Sequence, residues 1–304
     1  MSLTTIRHIL CPVDTSEPSK QAAAQAYALA RATGARLTVL HVAQPIRMPL
    51  PAPAPATAST LTDAEERAIR RWMSAPFPVS QEPAPELEFL VEVGVPAAEI
   101  LTCAKERSID LIVMGTHGTS GVEHLLLGSV TEKVLRRAAC PVLTVPARVS
   151  AHTHLPFARV LCAVDFSECS IRALEFAMTT ALATGASLLL AHVLEWPWHE
   201  PPPPAFDELP PAEATALRGY RERREQQTRE RLDRLEPEGF KERCQTYVLH
   251  GRPYTEILRL ADAQQVDLIV LGVHGRSAVD TALFGSTTNQ LVRHATCPVV
   301  TVRH

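Results

Sequence analysis

The sequence predicts an α/β protein built as two tandem domains, each an open, twisted, five-stranded parallel sheet with helices on both faces. Three observations point to it. The chain has 304 residues, twice the usual domain size of about 150. It repeats itself: Asp14 and Asp165, like Val42 and Val193, stand 151 positions apart, whereas Gly115 and Gly272, like Cys140 and Cys297, stand 157 apart. The second half thus carries six extra residues between its second strand and its glycine block, the mark of an internal duplication. Finally, short, near-continuous apolar runs alternate with helical patterns, which implies buried parallel strands joined by right-handed helical crossovers.

The elements follow in order. Ile6 to Val13 is an apolar run read as the first strand. Glu17 to Thr33 is Ala-rich with apolar residues at helical spacing, and Gly34 supplies a C-cap. Arg36 to Val42 is the second strand, and the Pro/Ala-rich stretch Pro45 to Ala58 is a loop. Thr62 to Ser74 is helical and Leu87 to Val93 alternates as a strand. Pro96 opens a helix at a favoured first-turn position, and Asp110 to Met114 is a fully buried strand. Ser129 to Ala139 is a helix and Pro141 to Val145 the last strand of this half. The second half repeats this order with strands Ala158 to Val164, Ser187 to Val193, Gln245 to His250, Asp267 to Leu271 and Pro298 to Val302. Its helices are Glu168 to Thr184, Pro211 to Leu235, Pro253 to Gln264 and Ser286 to Ala295. The loop Glu195 to Pro210 holds Trp196, Trp198 and four consecutive prolines. The expected division is residues 1–147, a linker over 148–157, and residues 158–304.

Composition narrows the function classes. A net charge of -3 gives no electrostatic case for nucleic acid or an anionic membrane. No signal peptide opens the chain, and no apolar run approaches the ~20 residues that span a bilayer, so a cytoplasmic protein is expected. The seven cysteines, odd in number and without a CxxC pair, read as reduced, mostly buried hydrophobes.

The chemistry sits in the repeated glycines. Gly115 and Gly118, then nine residues, then Gly128-Ser129 recur as Gly272 and Gly275, nine residues, and Gly285-Ser286. Each block follows Asp-Leu-Ile-Val and precedes a Cys-Pro-Val strand. Glycines let backbone approach a ligand, and a helix opening at Gly-Ser offers unpaired N–H groups and partial positive charge to an anion. The alternative is that the glycines only shape turns. No lysine follows a glycine, which excludes a P-loop, and no G-x-G-x-x-G follows the first strand, which disfavours a dinucleotide site. Asp14 and Asp165 end their strands with Ser16 and Ser167 two residues on; either ligand binding or helix capping accounts for them. His117 and His274 recur between the paired glycines and read as loop residues or phosphate neighbours, while His41 and His192 read as sheet-end packing. No HExxH, Cys/His cluster or Ser/His/Asp elbow is present, so no metal site and no catalytic residue is assigned. The charged stretch Arg218 to Arg234 reads as a solvated helix face, with Leu217, Tyr220, Leu232 and Leu235 as packing positions.

The pattern G-2x-G-9x-G-[ST], together with the openings Cys-Pro-Val-Asp-Thr-Ser and Cys-Ala-Val-Asp-Phe-Ser, resembles the universal stress protein family over nearly the whole chain, as two tandem copies of its ATP-binding branch. The resemblance implies an adenine-nucleotide-hydrolase-like sheet and bound ATP, with or without Mg²⁺. It assigns Pro12, Asp14, Val42, Met114 and Gly115 to the adenosine, and Gly118, Gly128, Ser129 and Val130 to ribose and phosphates. The second set is Ala163, Asp165, Val193, Leu271, Gly272, Gly275, Gly285, Ser286 and Thr287. Arg276, where the first half has Thr119, would reach a phosphate, so the second site is expected to bind more tightly. The resemblance further implies pairing through the last strands, here between the two halves, with a homodimer as an additional option. The function expected is stress adaptation through nucleotide binding with slow or no hydrolysis. A weak ATPase or nucleotide-transferring enzyme and a non-binding scaffold stand as alternatives.

Overall fold

The computed structural model describes residues 6–44, 61–77, 84–116, 127–147, 149, 153–154, 156–195, 209–236, 240, 242–273 and 285–303. The Pro-rich segments 45–60 and 196–208 and the glycine-loop interiors 117–126 and 274–284 lie outside them, so the expectations for Gly118, Gly275, Arg276, His117 and His274 do too.

The first half runs β1 (His8–Pro12), α1 (Glu17–Thr33), β2 (Arg36–Ala43), α2 (Asp63–Ser74), β3 (Leu87–Val93), α3 (Pro96–Glu106), β4 (Leu111–Gly115), α4 (Ser129–Arg137) and β5 (Val142–Val145). The second runs β6 (Arg159–Ala163), α5 (Glu168–Thr184), β7 (Ser187–Leu194), α6 (Pro211–Asp233), β8 (Cys244–His250), α7 (Pro253–Ala263), β9 (Leu268–Gly272), α8 (Ser286–His294) and β10 (Val299–Val302). Several helix ends fall where the residues demand. Ser16 and Ser167 cap α1 and α5, each accepting from the backbone N–H three residues on, and Gly34 and Gly185 close them in the left-handed conformation at φ 71° and 74°. Thr62, expected inside α2, is its N-cap and forms a capping box with Glu65.

The two five-stranded sheets join into one ten-stranded sheet through the last-strand pairing expected between the halves. Strand order is β3-β2-β1-β4-β5-β10-β9-β6-β7-β8, parallel throughout except at the seam, where β5 and β10 pair antiparallel with Leu143 opposite Val300. The reason lies in the strands: Val-Leu-Thr-Val and Val-Val-Thr-Val are buried at every position, so neither tolerates being a wet sheet edge. Thr144 donates its hydroxyl to the carbonyl of Val299 at 3.1 Å, and Thr301 returns the bond to Val142 at 3.4 Å. Each such bond contributes roughly 0.5–1.5 kcal/mol.

One apolar core lies between the sheet and α1, α2, α5 and α6; the other lies between the sheet and α3, α4, α7 and α8. The Asp of each Asp-Leu-Ile-Val repeat anchors the strand ends at the opposite edge from the glycines. Asp110 accepts from the amides of Arg7 and His8, and fully buried Asp267 accepts from those of His154, Ala158 and Arg159 at 2.7–2.9 Å. Among the described residues no helix is long and apolar enough to cross a membrane.

Candidate functional site

In each half the strand order reverses between two adjacent strands, β1 and β4 or β6 and β9. The helix after β1 packs on one face of the sheet and the helix after β4 on the other, so a crevice opens at the strand carboxyl ends. Asp14 and Gly115 stand at that crevice in the first half, and Asp165 and Gly272 in the second.

The glycine loop is closed at its base. The amide of Thr116 donates to Val145 at 2.9 Å, and that of Gly128 donates to the Thr116 carbonyl at 2.8 Å. Thr131 then donates its hydroxyl to the Gly115 carbonyl at 2.9 Å. The second half repeats each bond: Val273 to Val302 at 2.9 Å, Gly285 to Val273 at 3.2 Å, and Thr288 to Gly272 at 3.1 Å. These contacts bring the first turn of α4, or α8, beside the end of β4, or β9. The first bond inside α4 runs from Glu132 to Gly128, and no side chain caps either helix. The helix therefore leaves the amides of Ser129, Val130 and Thr131, and of Ser286, Thr287 and Thr288, for other acceptors. Ser129 and Ser286 are exposed beside them. Sequence reading missed the threonines; the available signal was Ser-Val-Thr against Ser-Thr-Thr at matched positions.

Gly115 and Gly272 have a different reason to be glycine than ligand approach. A Cβ on Gly115 would lie 3.1 Å from Pro18, and one on Gly272 would lie 2.8 Å from the Cβ of Cys169 and 2.9 Å from its carbonyl carbon. The first turns of α1 and α5 press directly on the strand ends. Gly285 is likewise confined, 2.8 Å from the Val273 carbonyl oxygen.

The Asp turns resolve the capping question. Ser16, not Asp14, caps α1, and Asp14 accepts from the amide of Ser16 at 3.0 Å and from its hydroxyl. The amide of Asp14 donates to Ser19 Oγ at 2.9 Å. Asp165, Ser167 and Ser170 repeat this turn. The carboxylate is thus oriented by the cap and half-buried at the crevice. His41 and His192 do more than pack: their Nδ1 atoms bond the carbonyls of Val13 and Val164 at 2.9 and 2.6 Å, pinning the residue before each Asp.

The side chains of Val42, Val130, Ala163 and Val193 are half-buried against the core on the α3/α4 and α7/α8 face, and Met114 and Leu271 are buried in it. Pro12 ends β1, half-buried. The structure therefore brings together, in each half, an apolar wall, an oriented carboxylate and an uncapped helix N-terminus. Among the described residues no group of three or more His, Cys, Asp or Glu is placed to hold a metal.

The family model described as "Universal stress protein family" matches residues 5–146 and again 156–303. The chain belongs to the universal stress protein family. A universal stress protein of Mycolicibacterium smegmatis is 28% identical over 303 residues, covering 97% of this chain and 96% of its own. The universal stress protein MJ0531 of Methanocaldococcus jannaschii is 32% identical over 142 residues, 46% of this chain and 81% of that one. The crystal structure of a universal stress protein from Archaeoglobus fulgidus superposes with a TM-score of 0.63 at 22% identity over 99% of this chain and 98% of that one, a likeness of fold.

The two universal stress protein halves differ beside Asp165. Phe166, where the first half has Thr15, adopts φ 64°, a left-handed conformation that costs a bulky residue about 1–3 kcal/mol. Its ring lies 4.8 Å from that of His192, and the guanidinium of Arg231 covers it at 3.9 Å. In the first half His41 instead meets Trp72 edge-on at 5.9 Å. The solvated-face reading of Arg218 to Arg234 holds only in part: Arg221 and Thr228 are buried, as is Leu232, while Tyr220 is exposed.

Proposed function

We propose that each half binds one molecule of ATP, and that the chain acts as a nucleotide-responsive stress protein with slow or no hydrolysis. The observation that carries this reading is the side-chain-uncapped N-terminus of α4 and α8, tied by Thr131 and Thr288 to the strand end where Asp14 and Asp165 sit. Such a terminus favours a phosphate, and the oriented carboxylate favours the ribose or base. Half-buried Pro12 and Val42, and Ala163 and Val193 at the matching places of the second half, suit an apolar adenine face. Gly118, Gly275 and Arg276 extend the phosphate side by sequence position. The residues fit the group. ATP would supply a transferable phosphoryl, but no lysine follows a glycine, which supports retention over turnover.

Mass spectrometry of nucleotide released from the purified full chain tests this. The expected result is adenine nucleotide from wild type, up to two per chain, and none from a Gly118→Glu/Gly275→Glu variant. Absence of nucleotide, together with no heat of ATP binding, overturns it. Multiple turnover with Mg²⁺ at enzymatic rates overturns the retention reading alone.

A further inference from the structure

The turns that carry Asp14 and Asp165 are held by a side chain from the neighbouring strand. The last backbone bond between β1 and β2 runs from the Val13 amide to the Leu40 carbonyl at 2.8 Å, and its counterpart from Val164 to Ala191 is also 2.8 Å. In a continued parallel ladder the amides of Val42 and Val193 would donate next, to the carbonyls of Val13 and Val164. There the rings of His41 and His192 donate through Nδ1, at 2.9 and 2.6 Å. A carbonyl only accepts, so Nδ1 carries a proton in the neutral and the charged ring alike, and the bond survives protonation at Nε2. The other end of the same peptide unit is also held: the amide of Asp14 donates to Ser19 Oγ at 2.9 Å, and that of Asp165 to Ser170 Oγ at 3.3 Å. A planar unit fixed at its oxygen and its nitrogen sets the direction in which the aspartate side chain leaves the backbone.

We propose that His41 and His192 are positioning residues: they hold Asp14 and Asp165 in place at the crevice, and through them set nucleotide affinity, the last step resting on the nucleotide reading above. The internal repeat separates bonding from packing. The ring of His41 meets Trp72 of α2 edge-on at 5.9 Å, whereas that of His192 meets Phe166 of the turn itself, tilted, at 4.8 Å. The turns differ too, with Pro12 against Ala163 and Thr15 against Phe166. The aromatic neighbour changes between the halves and the ring-to-carbonyl bond does not. What both halves keep is therefore the donor. Without it the Val–Asp peptide is free to tip, and each carboxylate must be ordered again when a ligand binds, which weakens binding.

The test compares two paired variants of the full chain. His41→Phe with His192→Phe keeps an aromatic ring and removes the donor. His41→Asn with His192→Asn removes the ring and keeps an N–H on the γ carbon, where Nδ1 stands. Hydrogen exchange at the amides of Asp14, Ser16, Asp165 and Ser167 is read without ligand, ATP affinity is read by calorimetry, and folding is checked by circular dichroism. In the Phe pair, exchange at these amides should be roughly tenfold faster and ATP affinity roughly tenfold weaker, with both largely restored in the Asn pair. A packing role alone gives the reverse order. That order, or unchanged exchange and affinity in the Phe pair, overturns the proposal. If the Phe pair does not fold, His41→Phe and His41→Asn singly, at a half-buried position, decide it by exchange at Asp14 and Ser16. A native chain that binds no ATP overturns the nucleotide reading, while exchange alone still decides whether the histidines hold the turns.

Discussion

Gly272→Ala separates two reasons for the glycine. Gly272 does not have positive φ, so alanine is acceptable to its backbone and only space forbids it. The added methyl would sit 2.8 Å from the Cβ of Cys169, 2.9 Å from its carbonyl carbon and 3.0 Å from the amide of Ser170. Carbon atoms rest at about 3.5 Å or more, so the first turn of α5 must retreat by about 0.7 Å from a strand in a close-packed interior. Overpacking of this kind costs about 1–3 kcal/mol, and the lower chain entropy of the unfolded alanine variant offsets about 0.4–1 kcal/mol of it. The net loss is about 1–2 kcal/mol, or a urea midpoint lower by roughly 0.5–1 M. Gly115→Ala, with Pro18 at 3.1 Å, should lose less. The measurement is urea unfolding of nucleotide-stripped protein. A ligand-free stability unchanged within about 0.5 kcal/mol would mean that the glycine serves ligand approach alone, and the packing argument would be wrong.

Two further predictions follow from buried groups. Asp267→Ala strands three backbone N–H groups and should cost about 3–5 kcal/mol, against about 1–3 for Asp110→Ala with two donors; equal losses by thermal unfolding would refute the ranking. Burial pushes the thiols of Cys11, Cys244 and Cys297 up to about 12 and that of Cys140 to about 11, from an ordinary 9.0. Thiolate being the nucleophile, these cysteines should alkylate at pH 8 roughly a hundredfold or more slower in the native than in the unfolded chain. With folded values raised, their stabilising contribution is complete below pH 9 and is lost as pH rises toward 11–12, so a urea midpoint that holds from pH 9 to 11 would contradict the assignment.

Much of the fold was legible because local signals agreed. Glu17–Thr33 and Glu168–Thr184 carry a serine cap, an Ala-rich apolar stripe and a closing glycine, and α1 and α5 begin and end there. Strands read a residue or two long or short, at β1 two before its start and one past its end, because apolar residues continue past the last ladder bond. Of the site, the frame was legible and the reasons were not. Gly115 and Gly272 read as room for a ligand because a sequence shows the missing Cβ but not the helix turn that fills its place. The roles of Thr131 and Thr288 depend on where β4 and β9 end, a long-range fact that no local pattern encodes. Arg231 read as part of a solvated helix face because its aromatic partner, Phe166, lies 65 positions away.

The β5–β10 pairing has a consequence for how the molecule can change. Two separate chains meeting through such a twofold seam part on dilution, and every substitution appears on both sides of the axis. Here the seam is covalently guaranteed and independent of concentration, and each side is encoded once. A residue too strained or too specialised to be tolerated twice needs to be tolerated only once. Phe166 with Arg231, set against Thr15 and Trp72, is such a one-sided departure beside glycine loops and Asp turns that repeat in both halves.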